Sequence, residues 1–334
     1  MDINLAMALS LRQADPHPPR QPDRVLRIRG VKTRRNNINV ATWNVRTLYK
    51  IGQLASVIKE ARRLQIDVLG VSETRWTGNG RYRVDENYEM IFAGKDTHEQ
   101  GVGILIHTRI SDKISAIIPK SERILLVRLE VKPKPMVIIQ VYAPTAESST
   151  AEINNFYNDL EEVMRCSKNN DVVFLMGDFN AKVGKDHGSQ VAGRYALGEQ
   201  NERGEMLVEF AERHDLVICN TWFKQHERRL YTWVSPGDRV RNQIDYILVK
   251  RRFRNTVKNC HTYPGADCNS DHKLLAAKCQ LVLKSQKKSK ERYQQLDIAK
   301  IKSKEVQKKF QEELEKQKED RLEEEQGIEE KWQT

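Results

Sequence analysis

Between Ile38 and Leu283 short apolar runs follow one another so closely that most leave no room for a helix between them. "YEMIFAG", "GVGILIHT", "SAIIPK", "RILLVRLEV" and "MVIIQVYAP" all fall within residues 88–144. Each has strand length and is rich in Val, Ile or aromatic residues. "INVATWNV", "DVLGVSET", "DVVFLMGDFN", "LVICNT", "LYTWV", "QIDYILV" and "LLAAKCQLVL" add further strands. Helical spacing is confined to three stretches. "GQLASVIKEARRLQI" places Leu54, Val57, Ile58, Ala61 and Leu64 on one face. "STAEINNFYNDLEEVMRC" opens at Ser149 or Thr150, and "NERGEMLVEFAERHD" follows later. Many adjacent strands and few helices argue for an α+β fold in which sheet packs on sheet with helices outside. They argue against a strictly alternating parallel fold. No internal period of 20–50 residues is visible.

The flanks differ in composition. Residues 1–37 include "QADPHPPRQPDR" and "RIRGVKTRR" and read as a disordered basic arm. That arm could tether nucleic acid, direct nuclear import or do neither. Residues 284–334 alternate charges of both signs with sparse apolar residues, and read as a solvated helical tail. Residues 38–283 are then the folded domain. The net charge of +11 suggests an anionic partner, nucleic acid or an acidic membrane surface. Five cysteines, an odd number with no CxxC, suit a reducing intracellular compartment, nuclear or cytoplasmic. Cys260, His261, Cys268 and His272 can be drawn as a zinc site, but their spacing matches no common pattern. No apolar stretch is long enough to predict a membrane span.

Several buried runs end in groups that carry chemistry. "VATWN" ends at Asn44, "VLGVSE" at Glu73, "VIIQVY" at Tyr142 and "VVFLMGDFN" at Asp178 and Asn180. "NQIDY" contains Asp245, and "NSDHK" brings Asp271 and His272 just ahead of the last strand. An acid after one strand is ordinarily a turn residue or a helix cap. So many at strand ends in one domain can converge, because the strands of a sheet end along a common rim. Converging carboxylates raise one another's pKa or recruit a cation. Carboxylate, amide and water oxygens suit a hard ion such as Mg²⁺, which polarises a phosphoryl oxygen. An Asp–His pair orients an imidazole and holds it protonated against a phosphate. Asp178 and Asn180 lie two apart, so an extended backbone would point both to one side and turn Phe179 into the core.

The stretches "ATWNVR", "VSETRW", "VYAP", "GDFNA", "YTWVSPG", "QIDYILV" and "SDHKLL" resemble, in order and spacing, those of the endonuclease/exonuclease/phosphatase superfamily. They are most similar to the endonuclease domains of RTE-type LINE retrotransposons and to craniofacial development protein 2-like proteins. The resemblance implies a four-layer αββα sandwich with its site at one rim. It implies a Mg²⁺-dependent (Mn²⁺ possible) DNA endonuclease that attacks in line with water and leaves a 3′-hydroxyl and a 5′-phosphate. By the same resemblance Glu73 holds the metal with Asn44 beside it, and Asp271 tunes or helps hold it. Asp178 positions or deprotonates water with help from Asn180. Asp245 orients His272 on the scissile phosphate, and Tyr142 hydrogen-bonds the phosphate or leaving group. Asp178 and His272 both remain candidates for the base. Two positions depart from the apurinic endonucleases: Arg46 stands where they usually carry an acid, and Thr145 where they carry Asn.

Other features read more plainly. Gly101 and Gly103 in "GVGIL" suit a tight turn better than a phosphate loop. Trp76 and Trp233 could stack on bases, though packing is the simpler role. Arg46, Arg75 and Lys182 flank the motifs and could meet phosphates or solvent. A phosphatase or sphingomyelinase-like esterase of the same fold is the alternative function, and a domesticated, non-catalytic remnant that binds nucleic acid or a partner is another.

Overall fold

A computed structural model describes residues 37–185, 189–281 and residue 308. The basic arm expected over 1–37 and the charged tail expected over 284–334 lie outside the described residues. The exceptions are Asn37, which opens the first strand, and Lys308, which is helical.

In chain order the first elements are β1 (Asn37–Asn44), α1 (Gln53–Arg63), β2 (Val68–Ser72), β3 (Asn79–Arg83), β4 (Tyr88–Ala93) and β5 (Val102–His107). A single turn, α2 (Thr108–Ser111), leads to β6 (Ile114–Ser121), β7 (Ile124–Leu129) and β8 (Met136–Tyr142). Next come α3 (Thr150–Arg165), β9 (Val172–Asp178), α4 (Glu202–Arg213) and β10 (Leu216–Ile218). The last are β11 (Trp233–Val234), β12 (Arg241–Asn242), β13 (Asp245–Lys250), β14 (Val257–Tyr263) and β15 (Leu274–Gln280).

These strands build a seven-stranded sheet, β14-β15-β1-β2-β5-β4-β3, a six-stranded sheet, β10-β13-β9-β8-β7-β6, and a small β11-β12 ribbon. Each large sheet has one parallel pair, β1 with β2 and β8 with β9, and is otherwise antiparallel. A parallel pair needs a crossover, and α1 and α3 provide it. Three apolar clusters fix the layers. One lies between the sheets, where Ile104, Leu125, Ile138, Phe174 and Leu275 meet. A second joins Val57, Ile58 and Ala61 of α1 to Ala41, Trp43 and Leu69. A third joins Phe156 and Leu160 of α3 and Leu207 and Phe210 of α4 to Ile139, Val173 and Leu175. The result is the αββα sandwich. α3 starts at Ser149, whose hydroxyl accepts from Glu152 N while Glu152 Oε2 accepts from Ser149 N at 3.0 Å. Gly101, at φ +95°, turns the chain into β5 and its carbonyl accepts from Thr74 N at 3.0 Å. Among the described residues no helix is long and apolar enough to cross a membrane.

Polar groups pin the two sheets together beneath the rim. Gln140 Nε2 donates to Ser72 Oγ at 2.9 Å, and Ser72 Oγ donates to Val141 O at 3.0 Å, all fully buried. Gly177 sits beside this pin at φ +150°, and a Cβ there would lie 2.0 Å from Val141 O. Gly177→Ala is therefore expected to cost about 2 kcal/mol or more, read as a lower urea midpoint; an unchanged midpoint would contradict this close approach.

Candidate active site

Strand register brings the chemical groups to one rim. In the six-stranded sheet Tyr142 ends β8 opposite Asp178 at the end of β9. Asp245 opens antiparallel β13 opposite the same Asp178. Three side chains on neighbouring strands thus stand in one row. In the seven-stranded sheet Asn44 ends β1 level with Ser72, and Glu73 follows at φ +58°. β15 runs antiparallel to β1, so the turn that carries Asp271 and His272 comes to the end of β1. Ser270 Oγ donates to Asn44 O at 2.7 Å and Trp43 Nε1 to His272 O at 3.1 Å, which locks that turn.

The row and the turn are wired across the sandwich. Asn44 Nδ2 donates to Glu73 Oε1 and to Asp178 Oδ2, both at 2.9 Å. Its Oδ1 accepts from Arg46 N at 2.9 Å, so the amide joins the two carboxylates as a donor. His272 Nδ1 lies 2.9 Å from Asp245 Oδ2 and its Nε2 lies 3.8 Å from Asp178 Oδ2. Asp178, Asp245 and His272 form a group whose ligand atoms all lie within 4.8 Å of one another. Asn44, Asp178 and Asp245 are each 1% exposed and His272 is 6% exposed, so their charges act with little solvent screening.

That burial sets the protonation. Asp178 is pushed up to about 7, first by loss of water and then by the Asp245 charge; His272 and the donors Asn44 and Asn180 work the other way. Burial alone would discharge His272, but the charge and hydrogen bond of Asp245, with Asp178 and Asp271 behind them, lift it to about 9. At neutral pH the imidazole is a cation held chiefly by Asp245, with Asp178, near its own titration, on the other side. Tyr142 is also pushed up, by burial, by the Glu73 and Asp178 charges and by a hydrogen bond to Glu73, so its phenol stays a donor.

Asn180 departs from the sequence-based expectation. β9 stops at Asp178 and Asn180 takes φ +48°, so the two-residue alternation of an extended strand does not apply. Asn180 instead braces the site: its N donates to Asp178 Oδ1 and its Nδ2 to Ala143 O, both at 3.0 Å. Phe179 does turn into the core. The drawn zinc set does not assemble either. Cys260 lies in the core between the sheets, Cys268 in the core under α1, and His272 is bound to Asp245.

Several supports carried no sequence signal. Arg123 lays its guanidinium 5.3 Å from the centre of the Tyr142 ring and donates to Tyr142 O at 3.2 Å. Thr232 Oγ1 accepts from Asp245 N at 3.0 Å, and Asn220 Nδ2 donates to Asp245 O at 3.1 Å. Trp233 acts as a donor, with Nε1 3.1 Å from Asp271 Oδ2. Trp76 packs edge-on against Phe92 at 5.0 Å. Arg46 Nε lies 3.7 Å from Asp271 Oδ1, and Arg75 Nη2 lies 3.2 Å from Glu73 Oε2. Thr145 is exposed in the loop after β8.

Comparison with known proteins gives a consistent result. A profile of the Endonuclease/Exonuclease/phosphatase family matches residues 41–272. Craniofacial development protein 2 from Bos taurus is 44% identical over 245 residues, which cover 73% of this chain and 41% of that protein. Its counterpart from Tragulus javanicus is 42% identical over 245 residues, 73% of this chain and 42% of that one. The match thus spans about two fifths of the length of these relatives. Among solved structures, the endonuclease domain of TRAS1, a telomere-specific non-LTR retrotransposon, superposes with a TM-score of 0.52. It is 13% identical and covers 73% of this chain and 99% of that one. The catalytic domain of Xenopus laevis APE2 gives a TM-score of 0.56 at 15% identity, over 75% of this chain and 94% of its own. At such identities these likenesses speak to the fold.

Proposed function

This chain belongs to the Endonuclease/Exonuclease/phosphatase family, and from that premise we propose that its rim is a phosphodiesterase centre that nicks DNA. The observation that carries the reading is the Tyr142–Asp178–Asp245 row, closed by His272, just ahead of β15, and by Asn44, at the end of β1, both strands of the seven-stranded sheet. Asp178, with an affinity for protons near neutrality, suits a group that takes the proton of an attacking water. His272, held as a cation by Asp245, suits a donor to a non-bridging phosphate oxygen. Water oxygen then bonds to phosphorus, its proton passes to Asp178, and the P–O3′ bond breaks. The departing oxygen takes a proton from solvent to become a 3′-hydroxyl, Asp178 returns its proton to solvent, and the phosphate stays on the 5′ side. Tyr142, a phenol that keeps its proton, suits a donor to the phosphate or leaving oxygen.

The residues fit a hard divalent ion such as Mg²⁺. Asp271 Oδ1 is buried without a hydrogen-bond partner, with Arg46 Nε 3.7 Å away, a state that an ion relieves. Glu73 and Asp271 would hold the ion with Asn44 beside them, and when bound it supplies Lewis-acid polarisation of a phosphoryl oxygen. The neighbouring Arg46 and Arg75 suit a polyanionic substrate.

An end-labelled DNA duplex incubated with excess protein and Mg²⁺ tests this. Internal cleavage that stops on chelation and returns with added Mg²⁺ or Mn²⁺ is expected. Release of inorganic phosphate from inositol phosphates with the duplex left whole would favour the esterase. An intact duplex with folded protein would favour the non-catalytic remnant.

A further inference from the structure

Among the described residues four large apolar side chains stand exposed: Tyr49, Ile51, Tyr82 and Val240. Two of them share the short loop between β1 and α1. Tyr82 has aromatic company in Trp76 and Phe92. Ile51 is fully exposed, and Tyr49, 64% exposed, has its ring against His98 at 4.4 Å. The root of this loop is fixed. Val45 N donates to Ser72 O at 3.1 Å, Leu48 N to Thr74 O at 3.0 Å, and the Leu48 side chain is buried. At the tip Gly52, at φ +82° with open space where a Cβ would stand, swings the chain into α1. The loop is therefore anchored at its base and bare at its end, the reverse of a frayed segment.

Behind the bare tip lies a cleft of about 190 Å³ lined by Arg46, Lys50 and Arg75 with Thr47, Gln53 and Asn269. The cleft runs into the site. Arg46 N donates to Asn44 Oδ1, Arg75 reaches Glu73, and Arg75 O is bonded to His98 at 3.0 Å, under the Tyr49 ring. Apolar tip, cationic cleft and the carboxylate–imidazole network lie in succession along one rim.

We propose that Tyr49 and Ile51 form a wedge that enters the minor groove of a DNA duplex beside the scissile phosphate, while Arg46, Lys50 and Arg75 take flanking phosphates. This rests on the nuclease reading of the site. Arg46 faces Asp271 and Arg75 faces Glu73; with Lys50 beside them in the cleft they suit a polyanion. An aliphatic tip among phosphate contacts matches a base step, since apolar wedges in the minor groove part stacked bases and bend the duplex. Flexible pyrimidine–purine steps open most readily, so the loop would choose where the strand is cut.

The test uses the full chain and a duplex carrying 2-aminopurine at a TA step, in chelator so that nothing is cut. Binding by the wild type is expected to raise 2-aminopurine fluorescence. Ile51→Ser is expected to abolish most of that rise and to weaken binding roughly tenfold without changing its salt dependence. Lys50→Ala is expected to lower the salt slope by about one. Hydrolysis of bis(p-nitrophenyl) phosphate by the wild type with Mg²⁺ reports the chemistry separately. A fluorescence rise that needs Ile51 supports the wedge even if the small diester is untouched, and in that case only the nuclease reading fails. No rise, or an equal rise with Ile51→Ser, overturns the wedge, and binding of a protein in place of DNA by this loop does the same.

Discussion

Asp178→Asn is expected to lose about 10³-fold or more in DNA cleavage and to unfold with a weaker dependence on pH than the parent. The loss follows from a concerted site, where removing one member costs nearly as much as removing several. Asn cannot take a proton from water; it keeps the shape, and its single oxygen keeps one of the two bonds that Asp178 accepts through separate oxygens, from Asn44 Nδ2 and from Asn180 N. The stability result follows from linkage. Asp178 ionises near 3.8 when unfolded and near 7 when folded. Its contribution to folding is therefore complete below about pH 3.8 and is lost as pH rises through about 7. Above that, a buried carboxylate beside Asp245 opposes folding, and Asn removes the charge. His272 has the same sign: it is raised from 6.5 to about 9, so its contribution is full below 6.5 and lost as pH rises through 9. Urea unfolding at pH 5 and pH 8 should show a flatter pH dependence in Asp178→Asn than in the wild type. Near-normal cleavage by a folded variant would remove Asp178 from the reaction, and a pH dependence as steep as the wild type's would show that Asp178 does not gain a proton on folding.

Asp245→Asn should cut the rate at pH 7 by about 10²-fold or more and draw the alkaline limb of the rate profile toward neutrality. Asp245 touches the proposed phosphate only through His272, so it acts as a positioning residue. Its carboxylate orients Nδ1 at 2.9 Å and is the largest influence holding the ring charged against burial. Without it burial prevails and the imidazolium gives up its proton at lower pH. An alkaline limb near 9 in the wild type and more than one unit lower in the variant is the expected pair of profiles. His272→Gln should remove that limb altogether. A rate loss with the limb unmoved would mean that Asp245 serves only to hold the turn in place.

The sandwich was legible because a sheet buried on both faces leaves apolar runs that cannot be mistaken for a surface. β1, β2, β8 and β9 all read that way. β3 escaped because "NGRYR" is an exposed edge strand with no apolar alternation, and β14 because "VKNCHTY" is a polar strand at the far edge. The site residues were legible as types at strand ends. Their meeting depended on register, which a single sequence does not print: Tyr142, Asp178 and Asp245 are level only because β8, β9 and β13 pair as they do. Asn180 was placed by the rule for extended backbone and escaped it through a positive φ. Arg123, Thr232 and Asn220 carry no motif. They are found only by asking what holds Tyr142 and Asp245 still.

Supercoiled plasmid mixed with excess folded protein and Mg²⁺, then treated with DNA ligase, puts the attack at the rim under the most direct test. Open circles that ligase closes without further processing are expected, since the proposed bond cleavage leaves the 3′-hydroxyl and 5′-phosphate that ligase joins. Circles that resist sealing, or plasmid that stays supercoiled throughout, would contradict it.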